Sequence, residues 1–222
     1  MNILAIECTH EALSVAVSRS GTVTEASSAD WKKAAESLVP LIEEVMQKSA
    51  LERKALDAVA ISSGPGSFTA LRIGMSVAKG VAYGLGIPLL PVPTMPAMAA
   101  SLGARDGAVM AVIQSRKGEY YYADYSATEL AAGVWHNDVM RGSLDDVMAA
   151  ATQGSGGRVV VARHIEPLRL PLVTFSTHYA EADFFSASSL FLAAEKLFVQ
   201  ATTSSLGEIM PDYRQGFTPN GG

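Results

Sequence analysis

The sequence predicts an α/β fold that opens with three antiparallel strands. Three observations carry this. Ile3, Leu4, Ala5 and Ile6 form an apolar run suited to a buried strand. Leu13, Val15 and Val17 alternate with Ser14, Ala16 and Ser18, as on a half-buried strand. Beyond residue 30, segments with apolar residues at three- and four-residue spacing alternate with short strand-like runs.

Gly21 turns the chain into a third strand over 22–28. Leu38, Leu41, Ile42, Val45 and Met46 then mark one face of a helix, with Pro40 inside the pattern, where a proline kinks a helix unless it lies in the first turn. Residues 57–62 read as the next strand. Gly64, Pro65, Gly66 and Ser67 lead into a helix over 68–83, capped by Ser67 and stopped by Gly84 and Gly86, with Pro88 beyond. Residues 89–92 form a strand, and Thr94 caps a third helix with Pro96 in its first turn. Strand, strand, strand, helix, strand, helix, strand, helix is the order of a ribonuclease-H-like lobe.

After Gly103 a second, smaller lobe is expected over 104–210. Residues 109–114 and 119–126 read as a hairpin about Lys117 and Gly118. Residues 134–137 and 159–161 are weaker strands, 153–157 a loop, and 184–199 a final helix. Residues 211–222, ending Pro-Asn-Gly-Gly, are expected to be a mobile tail.

Composition narrows the function. The 222 residues are 49% apolar and 18% charged, with a net charge of −5, which disfavours tight solitary binding to RNA or an anionic membrane. Cys8 is the only cysteine, so no internal disulfide forms, and a reducing, cytoplasmic setting is expected. The first ten residues read as a strand and not a leader, and no apolar run reaches membrane-spanning length.

The end of the first strand, Glu7-Cys8-Thr9-His10-Glu11, is where a phosphate-contacting hairpin would lie, with Glu7 as a water-mediated magnesium holder; yet no glycine stands between Glu7 and Gly21 to admit a phosphate. A strand end that caps its own turn is the alternative. Cys8 and His10 share a strand face, but nothing activates the thiol. His10, His136, His164 and His178 include no pair at metal-binding helical spacing. No catalytic or metal-binding residue is therefore assigned.

Gly64-Pro65-Gly66-Ser67 before a helix resembles an anion cradle but lacks the lysine of a P-loop, and is assigned as a structural loop. In the helix that follows, Ala70, Gly74, Ala78 and Ala82 recur every four residues, and Ser76, Gly80 and Gly84 form a neighbouring row. Such rows are helix-packing ridges, and small residues let another backbone approach. Helix-interior glycine costs about 1 kcal/mol against alanine, so close packing must offset it. The contact is either with the chain's own elements or with another subunit.

The 3–17 pattern, SSGPGSFTALRIG from Ser62, PLLPVPT from Pro88 and IQSRKGEYYYADY from Ile113 together resemble the TsaB (YeaZ) family over residues 1–126. The resemblance implies two ribonuclease-H-like lobes of the actin/Hsp70/sugar-kinase (ASKHA) class. It implies a non-catalytic scaffold or activator of TsaD, which transfers a threonylcarbamoyl group to the adenosine beside the anticodon of tRNAs reading A-starting codons. TsaD and TsaE are the implied partners, with a homodimer when TsaD is absent and tRNA met only through the complex. The partner surface is expected on the first-lobe helices, at Leu38, Leu41, Ile42, Val45, Ala70, Gly74, Ala78 and Ala82. No cofactor of its own is implied; a nucleotide at the junction with TsaD stays open, as do an ATP-binding kinase or nucleotide hydrolase of the same class and a glycoprotease-like peptidase. Glu7, Ala34, Gln114 and the tight Pro211-Asp212-Tyr213-Arg214 depart from the family pattern.

Overall fold

A computed structural model describes residues 1–9, 12–29, 33–103, 106–153, 158–163, 169, 178–182, 186–200 and 206–214. His10, Glu11, His164 and residues 215–222 lie outside that set, as does most of the expected 153–157 loop.

The first sheet holds β1 (Asn2–Glu7), β2 (Leu13–Arg19), β3 (Thr22–Ser28), β4 (Ala58–Ser62) and β5 (Leu89–Val92) in the order β3-β2-β1-β4-β5. β1, β2 and β3 run antiparallel, and β4 and β5 join parallel to β1. This is the ribonuclease-H-like arrangement. Its helices are α1 (Ala34–Lys48), α2 (Phe68–Leu85) and α3 (Thr94–Ala100). The second sheet repeats the plan: β6 (Val109–Arg116), β7 (Glu119–Tyr125), β8 (Met140–Gly142), β9 (Val159–Arg163) and β10 (His178–Glu181), in the order β10-β9-β6-β7-β8. Its helices are α4 (Ala127–Ala132), α5 (Leu144–Thr152) and α6 (Phe191–Gln200).

Strand alternation explains why the two sheets share one core. On β1, Ile3 and Ala5 point inward with Ala58, Ala60, Leu90 and Val92, and meet Val109, Ala111, Tyr121 and Tyr125 of the second sheet across Met95 and Met98. Leu4, Ile6 and Cys8 point the other way, with Val15, Val17, Val59 and Ile61, and form the floor on which α1 and α2 lie.

Several sequence expectations are corrected. Residues 134–137 form no strand; the third strand of that sheet is β8. The final helix begins at Phe191, after a 3-10 turn at Ala187–Leu190. Pro40, in contrast, lies inside α1 as expected, on its exposed side. α2 runs through Gly84 and ends at Leu85, where left-handed Gly86 (φ 66°) closes it. Ser67 stands at the N-cap of α2 without a side-chain cap bond, and Pro93 holds the N-cap of α3. Thr94 is the first helical residue there, and its hydroxyl instead accepts from the Gly64 amide at 3.0 Å.

The expected mobile tail is also corrected for residues 211–214, which dock on the body. The Asp212 amide donates to the Ser63 carbonyl at 2.7 Å, and Asn137 Nδ2 donates to Asp212 Oδ2 at 2.9 Å.

Candidate partner-binding site

Helix α2 presents two different rows. On the inner one, Ala70, Gly74, Ala78 and Ala82 are all buried against the first sheet. The reason is most explicit at Gly74: a Cβ there would stand 2.0 Å from Cys8 Sγ and 3.3 Å from Ile61 Cδ1. The close approach that these small residues permit is thus to the chain's own β1 and β4. Leu38, Leu41 and Val45 of α1 are buried in the same outer core, and Ile42 alone among the eight expected contact residues reaches the surface, half-buried. In the isolated chain seven of the eight expected partner residues therefore serve its own interior.

The outer row differs. Ser76, Gly80 and Gly84 are exposed, and a Cβ built on either glycine meets nothing within 4 Å. Among the described residues, no packing offsets the helix cost of these two glycines. Beside the row, Tyr83 is 82% exposed and Val39 of α1 is 49% exposed. Between α1 and α2 runs a groove of about 320 Å³, lined by Val39, Ile42, Gly80, Val81, Gly84 and Leu85 with Glu43 and Arg53 at its edge. The ridge of small residues and the apolar groove form one continuous face. Both rows are visible in the sequence, and the expected contact residues lie on the first. The signal that separates them is polarity: Thr69, Arg72, Ser76 and Lys79 share the outer face, whereas Leu71 and Met75 accompany the inner row.

The glycine loop is built into the fold. The Ser67 amide donates to the Thr9 carbonyl at 2.8 Å, and a Cβ on Gly66 would lie 2.6 Å from Thr9 Cβ. The Gly64 amide is held by Thr94, and the Thr94 amide returns a bond to the Gly64 carbonyl at 2.9 Å. Gly64 adopts φ 111° beneath the Asp212 carbonyl, which a Cβ would approach to 2.4 Å. Glycine is required here by both conformation and space. The Gly64 and Ser67 amides, which an anion cradle would aim outward, are spent inside.

Glu7 behaves alike. It is 2% exposed, and its carboxylate accepts from the Thr9 amide at 2.7 Å and from the Thr9 hydroxyl. Burial pushes its pKa up, against the lowering effects of Ser62, Thr9 and the Arg163 guanidinium. Cys8 donates to the Ala70 carbonyl at 3.3 Å, and burial with the neighbouring Glu7 charge pushes its thiol far up, so no thiolate forms near neutrality. Among the described residues, no three His, Cys, Asp or Glu side chains gather as a metal site. His136 stacks on Tyr125, and His178 lies exposed on β10.

The model of the family described as "TsaD: tRNA N6-adenosine threonylcarbamoyltransferase" matches residues 18–214. The chain is similar to the tRNA threonylcarbamoyladenosine biosynthesis protein TsaB of Escherichia coli, 36% identical over 140 residues, which are 62% of this chain and 60% of that relative. It is similar to TsaB of Haemophilus influenzae (33%, covering 55% and 53%) and of Bacillus subtilis (30%, covering 56% and 55%). The matches thus span little more than half the length of these curated relatives. In fold, the chain is similar to YeaZ from Pseudomonas aeruginosa, with a TM-score of 0.72 at 19% identity, covering 95% of this chain and 100% of that one.

Proposed function

This chain belongs to the TsaD family of tRNA N6-adenosine threonylcarbamoyltransferases, and from that premise we propose that it is a non-catalytic scaffold and activator subunit. It docks on a TsaD protein and supports threonylcarbamoyl transfer to the adenosine beside the anticodon of tRNAs that read A-starting codons. The observation that carries this reading is the exposed Ser76–Gly80–Gly84 ridge beside the α1–α2 groove, a face shaped for close helix packing that the described residues leave open.

The contact residues of this reading are Val39, Ile42, Ser76, Gly80, Tyr83 and Gly84. Leu38, Leu41, Val45, Ala70, Gly74, Ala78 and Ala82 support the face from beneath. The same face accounts for a homodimer when TsaD is absent, since two copies then cover each other's ridge. TsaE joins the pair, and tRNA is met only through the complex, in the cytoplasm. Among the described residues no helix is long and apolar enough to cross a membrane.

The non-catalytic part is supported by how the described candidate groups are held inside the fold. Glu7 is bonded to Thr9, the Cys8 thiol is buried, and the loop amides of Gly64 and Ser67 are occupied. The proposed subunit holds no nucleotide of its own. Mixing the chain with its cognate TsaD and TsaE, with tRNA, ATP and threonylcarbamoyl donor, tests the reading. Modification that needs the chain is expected; a TsaD fully active without it, and no association, would overturn the proposal. Turnover of Mg-ATP by the isolated chain would favour an enzyme instead.

A further inference from the structure

We propose that Asp212, Tyr213 and Arg214 form a strap that positions the glycine loop and the first turn of α2, and through them the docking ridge. This rests on the partner-binding reading above for its effect on affinity, but not for its effect on the loop.

The strap touches both lobes at once. On the first lobe, the Asp212 amide holds the Ser63 carbonyl, and the Asp212 carbonyl crosses over Gly64 where no side chain fits. On the second lobe, Asp212 Oδ2 accepts from Asn137, and Arg214 donates to the Asn137 carbonyl and, at 3.4 Å, to the Val139 carbonyl. Arg214 Nε closes the network on Asp212 Oδ2 at 2.8 Å. Arg214 has φ 46°, a left-handed conformation that costs an L-residue energy and persists where its surroundings fix it.

Between these anchors Tyr213 reaches α2. Its ring lies 4.8 Å from that of Phe68, the first residue of the helix. The Arg72 guanidinium sits 3.9 Å above Phe68 and 5.7 Å from the Tyr213 centroid, with Nε donating to the Tyr213 hydroxyl at 3.4 Å. Cation–π stacking of this kind fixes an otherwise mobile side chain. Phe68, Arg72, Ser76, Gly80 and Gly84 follow one another at four-residue spacing, all exposed. The strap therefore grips one end of the ridge that the partner reads at the other.

The test compares Tyr213→Ala, Tyr213→Phe and Arg214→Ala with wild type by amide hydrogen exchange and by affinity for TsaD. Tyr213→Ala and Arg214→Ala are expected to speed exchange at Gly64, Ser67 and Leu71 by about tenfold while the β9 amides stay protected, as for a local opening. Each is expected to weaken TsaD binding about fivefold or more, within the range of couplings between distant sites. Tyr213→Phe keeps the ring and is expected to behave as wild type. Unchanged exchange overturns the strap; faster exchange with unchanged affinity overturns its positioning role. If Arg214→Ala does not fold, Tyr213→Ala, which leaves the Asp212–Asn137–Arg214 network intact, decides. If the wild-type chain does not bind TsaD but Gly80→Leu and wild type share normal loop protection, the functional reading fails, and the exchange result alone then judges the strap's grip on the loop.

Discussion

Alanine at Gly74 and at Gly80 should change stability in opposite directions. Both sit inside α2, so each substitution gains roughly 1 kcal/mol of helix propensity. At Gly80 the new methyl enters open space, and the gain is kept. At Gly74 it arrives 2.0 Å from Cys8 Sγ, and the sulfur or the helix must move, at about 1–3 kcal/mol for an overpacked core. The net is a loss of up to about 2 kcal/mol. For a chain of this length 1 kcal/mol shifts the melting temperature by about 2–4 °C. Gly80→Ala should raise Tm by a few degrees and Gly74→Ala should lower it. In a Cys8→Ala background the nearest atom to the new methyl becomes Ile61 Cδ1 at 3.3 Å, so Gly74→Ala should turn from destabilising to neutral or stabilising. Scanning calorimetry on the four proteins of this cycle reads the coupling directly. A Gly74→Ala variant that melts above wild type, or one whose loss is unchanged by Cys8→Ala, would refute the claim that the inner row packs on Cys8 at the end of β1.

Further outcomes follow from the same geometry. Cys8 should resist a thiol-disulfide reagent in the native state and react fully in denaturant; rapid native labelling would contradict its burial. Because the pKa of Glu7 is raised in the folded chain, its protonated form favours folding: that contribution is whole below the ordinary glutamate range and is lost as pH rises through the raised value. Glu7→Gln should remove this loss, so its stability advantage over wild type should grow with pH; pH-dependent urea melts with parallel curves would count against it. Gly64→Ala, which forces both a φ of 111° and a 2.4 Å contact with the Asp212 carbonyl, should destabilise by about 1–3 kcal/mol or displace the strap, measurable as lost protection of the Asp212 amide.

Much of the first lobe was legible because its signals are local and unopposed. The alternation of Leu13, Val15 and Val17, and the turn at Gly21, specify β2 and β3 within a residue or two. Gly86 closes α2 as left-handed glycine does. The second lobe was less legible. Its helices α4 and α5 are short, and the information lies in two capping boxes, Ser126 with Glu129 and Ser143 with Asp146, which periodicity over longer windows passes over. β8 has three residues and exists because β7 offers it an edge. The site was half legible: the two small-residue rows are visible in sequence, but which one the chain keeps for itself depends on Cys8, a residue sixty-six positions earlier. The docked strap was not legible, since Pro-Asp-Tyr-Arg near a glycine-rich end reads locally as a tail; what orders it is contact with Gly64 and Asn137.

In the proposed function, the open ridge of α2 is where a TsaD partner sits. Gly80→Leu places a side chain where the structure has empty space, so it should leave the isolated chain folded with an unchanged or higher Tm. Titrated against TsaD, that variant should bind about tenfold or more weakly than wild type, the cost of a large side chain in a close helix contact, and should fail to support tRNA modification at concentrations where wild type saturates. A folded Gly80→Leu variant that binds TsaD with wild-type affinity and supports full modification would contradict it.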